Sequence, residues 1–163
     1  MVATVQLVEK NGTAGTATDK SSGTIRFKNA DNATVDANDP MVVPATGSDY
    51  SYEKWLRPKI TVAPDTNISN LQFYSDGTIG YGTGVTPYVK AVTTYATPAQ
   101  ATGTAGYSTL ASKTASSALS LGTGTFTGTG EKGDHAVAML KVDNTAGPGA
   151  LSAETITLSY DEI

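Results

Sequence analysis

The chain has 163 residues, of which 39% are hydrophobic and 16% charged, and its net charge is −4. This length supplies one hydrophobic core, so we expect a single domain over residues 1–163, and the absence of cysteine excludes disulfides and thiolate metal sites. The acidic balance argues against nucleic acid as a partner, because neutralising phosphates requires clustered Lys and Arg.

The first predicted strand lies in MVATVQLVEK, where Ala3, Val5 and Leu7 alternate with polar side chains. The stretch has no long apolar run and carries an acid at Glu9, so it predicts neither a secretory signal nor a membrane span. We therefore expect a protein that folds in the cytoplasm and does not bind membranes.

Two short apolar stretches follow a polar loop. Ile25 and Phe27 alternate with basic residues and predict another strand. Val35 comes after the turn-forming residues NADN, and residues 41–43 form a short apolar piece between two prolines.

The same region holds three closely spaced carboxylates, Asp31, Asp36 and Asp39, in DNATVDANDP. Hard oxygen ligands at short spacing suit calcium. Their order does not match an EF-hand loop, however, and Asp and Asn are common turn formers. We predict no metal site and keep calcium binding here as an alternative.

The stretch DYSYEKWLRPKITV predicts the next strands. Leu56 and Ile60 share one parity, and Trp55 and Arg57 lie on the other. Pro58 cannot donate to a ladder, so it marks an edge, a bulge or a break between two strands. The outward parity favours a subunit contact for Trp55 and Arg57, with a core position for the indole as the competing interpretation.

Further strands are predicted around Leu71 and Phe73 and in TPYVKAVTTY. Residues 96–133 are rich in Gly, Thr, Ala and Ser and predict a loop region. Within it, GYSTLASKTASSALSL is compatible with one helical turn or a short strand, and we favour a strand at residues 118–121. Long loops often carry interactions. An exposed Phe is costly in such a loop, so Phe126 is a third candidate interface residue.

Two strands at residues 135–142 and 154–160 end the chain, and Ile156, Leu158 and Tyr160 share the face that closes the core. Eight or nine strands with regular turn signals and no persuasive helix predict an all-β protein. The expected architecture is a single antiparallel β-sandwich, either immunoglobulin-like or jelly-roll.

No catalytic pattern is present. The single histidine, His135, stands at the start of a strand with no G-x-S-x-G motif and no second His or Cys in the sequence, so we expect a loop or surface residue. The glycine strings GYGTG and GTGTFTGTG do not form a phosphate loop. We therefore predict no enzyme activity and no cofactor.

The segments KNGTAGTATDKSSGTIRFKNADNATVD, DYSYEKWLRPKIT, ISNLQFYSDG and PGALSAETITLSYDE resemble small structural proteins of tailed-bacteriophage virions, of the head decoration (cement) type. The resemblance implies a β-sandwich without cofactor that binds a capsid lattice and copies of itself. It therefore implies a non-enzymatic homo-oligomer that is assembled in the host cytoplasm and resides in the virion.

A second function is compatible with the same residues, namely a carbohydrate- or receptor-binding β-sandwich of a tail fibre or adhesin. An exposed aromatic platform around Trp55 favours sugar binding, whereas a buried or subunit-contacting Trp55 favours assembly.

Overall fold

Two antiparallel sheets pack face to face in a computed structural model that describes residues 2–163. The strands of this part of the chain, with one 3₁₀ turn at Leu110–Ser112, are β1 (Thr4–Asn11), β2 (Thr16–Asp19), β3 (Ser48–Tyr50), β4 (Lys54–Val62), β5 (Ile68–Ser75), β6 (Val85–Val92), β7 (Ser108–Thr109), β8 (Leu119–Gly122), β9 (Gly130–Glu131), β10 (His135–Asp143) and β11 (Ile156–Glu162). The predicted all-β antiparallel sandwich is confirmed.

The two sheets differ greatly in width. The larger has eight strands in the order β2-β1-β4-β10-β6-β7, with β3 also paired to β10 and β9 to β4, and the smaller has three in the order β11-β5-β8. The described residues thus form eleven strands rather than eight or nine. The excess comes from pieces of two to four residues, such as β3, β7 and β9, which are too short to give an alternating pattern.

The core lies between the inner faces of the sheets. From the larger sheet it takes Leu7, Leu56, Ile60, Val89, Ala136 and Ala138, and from the smaller Ile68, Leu71, Phe73 and Leu121. Ile156, Leu158 and Tyr160 pack half-buried against this core, so their predicted face is confirmed. Asn70, with φ of 52°, shifts the phase of β5 so that Ile68 and Leu71 both point inward.

Pro58 lies inside β4 at the point where that strand changes partners. On one side β4 pairs continuously with β1, and Leu7 is opposite Pro58. On the other side β10 reaches only as far as Leu56, and β9 begins at Lys59. The Pro58 carbonyl faces this second side and accepts from Lys132 N at 2.9 Å. The missing N–H of proline therefore falls at a local edge, in the gap between two partner strands, and β4 itself continues through Pro58 without a break.

Residues 20–47 contain no strand, so the strand predicted around Ile25 and Phe27 is wrong. Both side chains still pack half-buried against the core. The backbone of this segment finds isolated partners instead of a ladder, for example Asn29 N on Asp39 O at 2.7 Å. The alternation correctly predicted that Ile25 and Phe27 are turned toward the core. A strand also requires a neighbouring strand edge to pair with, and this segment has none among residues 2–163.

The loop region predicted at residues 96–133 is more ordered than expected, since it includes β7, the 3₁₀ turn, β8 and β9. The short strand expected at residues 118–121 is present as β8. Residues 95–101 attach to the larger sheet through two backbone bonds, Glu53 N to Ala99 O at 3.0 Å and Ala101 N to Ser51 O at 3.1 Å. Tyr95 in the same segment packs against Trp55.

Two glycines with the same backbone conformation provide a test of the packing around β8. Gly133 has φ of 66°, and a Cβ there would collide with the Leu121 carbonyl and lie 2.8 Å from Leu71 Cδ1, whereas Gly128 has φ of 67° and open space around it. We expect Gly128→Ala to lower the free energy of unfolding by about 1 kcal/mol through backbone strain alone. Gly133→Ala should cost roughly 1–3 kcal/mol more, because the added methyl group overpacks the core.

Urea unfolding of the two variants and the parent measures this difference. Equal losses of stability in the two variants would contradict the close approach of the Gly133 turn to β5 and β8.

Candidate functional site: a cavity between the sheets and its apolar rim

The unequal widths of the sheets leave a cavity of about 780 Å³ beside the core. Three strands cannot cover the inner face of eight, and strandless residues from 20–41 and 149–155 close the remaining space. The walls are mainly apolar and include Val5, Leu7, Ile25, Phe27, Leu56, Leu110, Leu140, Ile156 and Leu158. The cavity therefore continues the core outward toward solvent.

Exposed apolar side chains stand around this cavity. Val35 is 50% exposed, Leu151 40% and Val42 62%. Val35 and Leu151 line the cavity itself, and Val42 follows Met41, which also lines it. We call Val35, Val42 and Leu151 the apolar rim. Exposed apolar side chains at the mouth of an apolar cavity are candidates for contact with a partner.

Three charged residues also line the cavity, and two of them have partners within the protein. Lys20 is buried and donates to Ala33 O at 2.5 Å and Thr24 O at 3.1 Å. Glu154 accepts from Gly80 N at 2.6 Å. Arg26 is exposed and has no hydrogen bond or ion pair to any residue of 2–163.

A buried ionic cluster anchors the strandless segment above the sheet. Glu9 and Lys54 are 0% and 1% exposed, and Lys54 Nζ lies 3.0 Å from Glu9 Oε1. Burial lowers the pKa of Lys54, and the charge of Glu9 opposes that shift. Lys54 also donates to Asn32 O at 2.7 Å, and Lys20 lies 3.6 Å from Glu9 Oε2. The cluster thus ties β1 and β4 to the segment that covers the cavity.

A third buried lysine, Lys28, forms its side-chain hydrogen bonds within the same segment. Lys28, which is 1% exposed, lies 2.7 Å from Asp36 Oδ1 and donates to Asn32 Oδ1 at 3.2 Å. The hydrogen bond from Lys28 is the main cause of the lowered pKa of Asp36. The sequence offered a signal for this cluster that was missed. Glu9 and Lys54 have the inward parity of Leu7 and Leu56, and charges at such positions require partners.

The structure does not gather Asp31, Asp36 and Asp39 around one point. Asp31 accepts from Asn11 Nδ2 and Gly12 N, and Asp36 is bound to Lys28. Among residues 2–163 no group of three or more His, Asp or Glu is placed to hold a metal ion.

Trp55 is 3% exposed, so the indole is buried, as in the competing interpretation, and offers little surface for the subunit contact expected of it. Its parity was predicted correctly, because it lies on the face of β4 opposite Leu56. That outer face is covered, since the indole packs edge-on against Tyr95 at 5.3 Å and His135 at 5.4 Å between ring centroids. Parity along one strand does not reveal that a distant segment covers its outer face.

His135 is fully buried beneath this covering segment, which contradicts the expected loop or surface position. Its Nδ1 lies 3.1 Å from Val92 O, and its Nε2 is buried with no hydrogen-bond partner among the described residues. Burial lowers the pKa of His135, and the bond to Val92 opposes this effect. The ring is therefore neutral near pH 7, with the proton on Nδ1 donated to the carbonyl.

Arg57 and Phe126 are also engaged within the fold. Arg57 donates to Gly133 O at 3.1 Å and to Glu131 Oε2 at 3.2 Å. Phe126 is not stranded in a loop, because its backbone exchanges hydrogen bonds with Ile68 at 2.8 and 3.0 Å and its ring packs half-buried on the core. The premise that made Phe126 an interface candidate is therefore wrong.

The described residues contain no helix with the length and hydropathy that crossing a bilayer requires. Comparisons of the chain with models of protein families, with curated proteins and with solved structures found no match. The interpretation of the site accordingly depends on its own residues.

Lys54→Met tests the buried ionic cluster. Removing the cation leaves Glu9 buried with only the Asn11 amide at 3.4 Å and Lys20 at 3.6 Å as polar partners among the described residues. We expect a loss of about 3–5 kcal/mol in unfolding free energy, as for other broken buried pairs. Lys141→Met is the matched control, since Lys141 pairs with Asp143 at a site where its side chain is 25% exposed, and it should change stability by less than about 1 kcal/mol.

Denaturant titration measures both variants, together with Glu9→Leu and the double variant Glu9→Leu/Lys54→Met. The double variant should be more stable than the sum of the single losses predicts. Strict additivity would show that Glu9 and Lys54 do not stabilise each other.

His135 should make stability depend on pH. Its folded pKa is lowered relative to an unfolded value of about 6.5, so the unfolded state binds the proton more readily. Stability should therefore be complete above that value and fall as the pH drops below it. His135→Phe, which keeps an aromatic ring against Trp55, should reduce the difference in unfolding free energy between pH 7.5 and 5.5. An unchanged difference would place the responsible group elsewhere.

Proposed function

We propose that this chain is a non-enzymatic structural protein of a virion that decorates or stabilises a phage capsid through protein–protein contacts. In this proposal it contacts the capsid lattice and copies of itself as a homo-oligomer. It is made in the host cytoplasm and ends in the virion. The sequence resemblance suggested this class, and the apolar rim is the observation that supports it.

The rim supports assembly because it leaves apolar area in water at the mouth of an apolar cavity. Val35, Val42 and Leu151 are 50%, 62% and 40% exposed, while the outer face around Trp55 is closed by Tyr95. Covering the rim with a neighbouring subunit would release about 25 cal/mol per Å² of apolar area. A protein that binds only the assembled lattice stabilises that state by mass action.

The carbohydrate-binding alternative needed an accessible aromatic platform around Trp55. With 3% of its surface exposed, this indole offers no ring face for stacking on a sugar. A buried Trp55 is the outcome that, in the sequence analysis, favours assembly over sugar binding.

Replacing Val35, Val42 and Leu151 together by Ser tests the rim. We expect the parent to self-associate and to rebind virions stripped of it, and the triple variant to lose at least about tenfold in affinity, as when interface anchors are removed. Ile163→Ser is the matched control, because Ile163 is 73% exposed and does not line the cavity. Sedimentation velocity and co-sedimentation with particles measure the two activities.

The control should bind like the parent, and both variants should keep the parental melting temperature. Equal affinity of parent and triple variant would remove the rim from the interface. A parent that neither associates nor binds particles, but is retained on immobilised glycans, would favour the carbohydrate-binding alternative.

A further inference from the structure

The interior of the cavity has the size and lining of a small-molecule site. The cavity measures about 780 Å³, which lies within the range of roughly 300–1,000 Å³ found for small-molecule sites. Its walls include Leu7 and Leu56 from the larger sheet and Ile156 and Leu158 from β11. Such sites are mostly apolar and carry a few polar groups that fix the ligand's orientation.

Of the three charged residues that line the cavity, Arg26 is the one left without a partner inside residues 2–163. Its neighbours Ile25 and Phe27 pack on the core, which holds this part of the backbone against the cavity. The other arginine, Arg57, differs in this respect, because its guanidinium donates hydrogen bonds to Glu131 and Gly133. A guanidinium forms strong paired hydrogen bonds with a planar carboxylate.

Glu154 limits the charge that a ligand can bring. It lines the same cavity and is held there by Gly80 N at 2.6 Å. A head group with several negative charges would be repelled by this carboxylate, whereas a single carboxylate can lie on Arg26. Lys20 donates to Thr24 O and Ala33 O and lies 3.6 Å from Glu9 Oε2, so its charge is already compensated within the protein.

We propose that the cavity binds a free aliphatic monocarboxylate, with the alkyl chain between the sheets and the carboxylate on Arg26. The apolar walls favour the chain, and the unpaired guanidinium selects the acid over a neutral molecule of the same length. This inference does not depend on the proposed function, because it concerns the isolated chain rather than its assembly.

The test compares dodecanoate with its methyl ester, each below its aggregation limit, by titration against the full chain. We expect saturable binding of the acid and at least about tenfold weaker binding of the ester, since one charged hydrogen-bonded pair is lost. Arg26→Gln should weaken the acid about tenfold and leave the ester unchanged, as expected when the discriminating group is removed. Arg57→Gln, the control arginine, should retain the parental preference.

Ala153→Trp provides a second variant that does not disturb the core, because Ala153 is an exposed residue of the cavity wall. It should abolish binding of both ligands while the melting temperature stays unchanged. The absence of saturable binding, equal affinity for acid and ester, or full binding by Ala153→Trp would each overturn the proposal. Binding to anionic phospholipid vesicles but not to dodecanoate would also overturn it, in favour of a membrane surface.

Discussion

The buried pair of Glu9 and Lys54 controls how the larger sheet is covered. Two strands of that sheet place opposite charges on the inner face, where an uncompensated charge is very costly. Lys54 also donates to Asn32 O of the strandless segment, and Lys20 of that segment lies 3.6 Å from Glu9 Oε2 and donates to Ala33 O. Because this segment has no ladder, these bonds hold it over the sheet. The cavity and the apolar rim exist because the cover is made of loop rather than of strands.

The two faces of the larger sheet are therefore closed by different means. The outer face is closed by aromatic packing of Tyr95 on Trp55 and His135, which leaves little space. The inner face is closed partly by the three-stranded sheet and partly by residues 20–41 and 149–155, and space remains there. Binding is accordingly proposed on the loosely filled side, at the rim for a protein partner and in the interior for a small acid.

Local patterns predicted much of the fold and little of the site. Alternation placed Ile156, Leu158 and Tyr160 correctly, because their burial follows from one strand and its neighbour. The same rule placed Trp55 on the outer face but did not reveal its burial, since the cover of that face comes from Tyr95, forty residues further along the chain. Inward-pointing Lys54 and Glu9 were visible in the sequence as exceptions to alternation. Their pairing and the cavity depend on loop placement, which periodicity does not encode.

Trp55 is the one tryptophan of the chain, and its place gives the molecule a built-in optical reporter. An indole in contact with Tyr95 and His135 and 3% exposed emits at shorter wavelength than one in water. Its emission therefore reports the seating of the Tyr95 segment, since the indole lies on the outer face of the sheet in contact with that segment. Release of that segment would shift the spectrum to the red even while backbone dichroism still reported intact sheets. A single spectroscopic signal thus separates loss of the outer cover from unfolding of the sandwich.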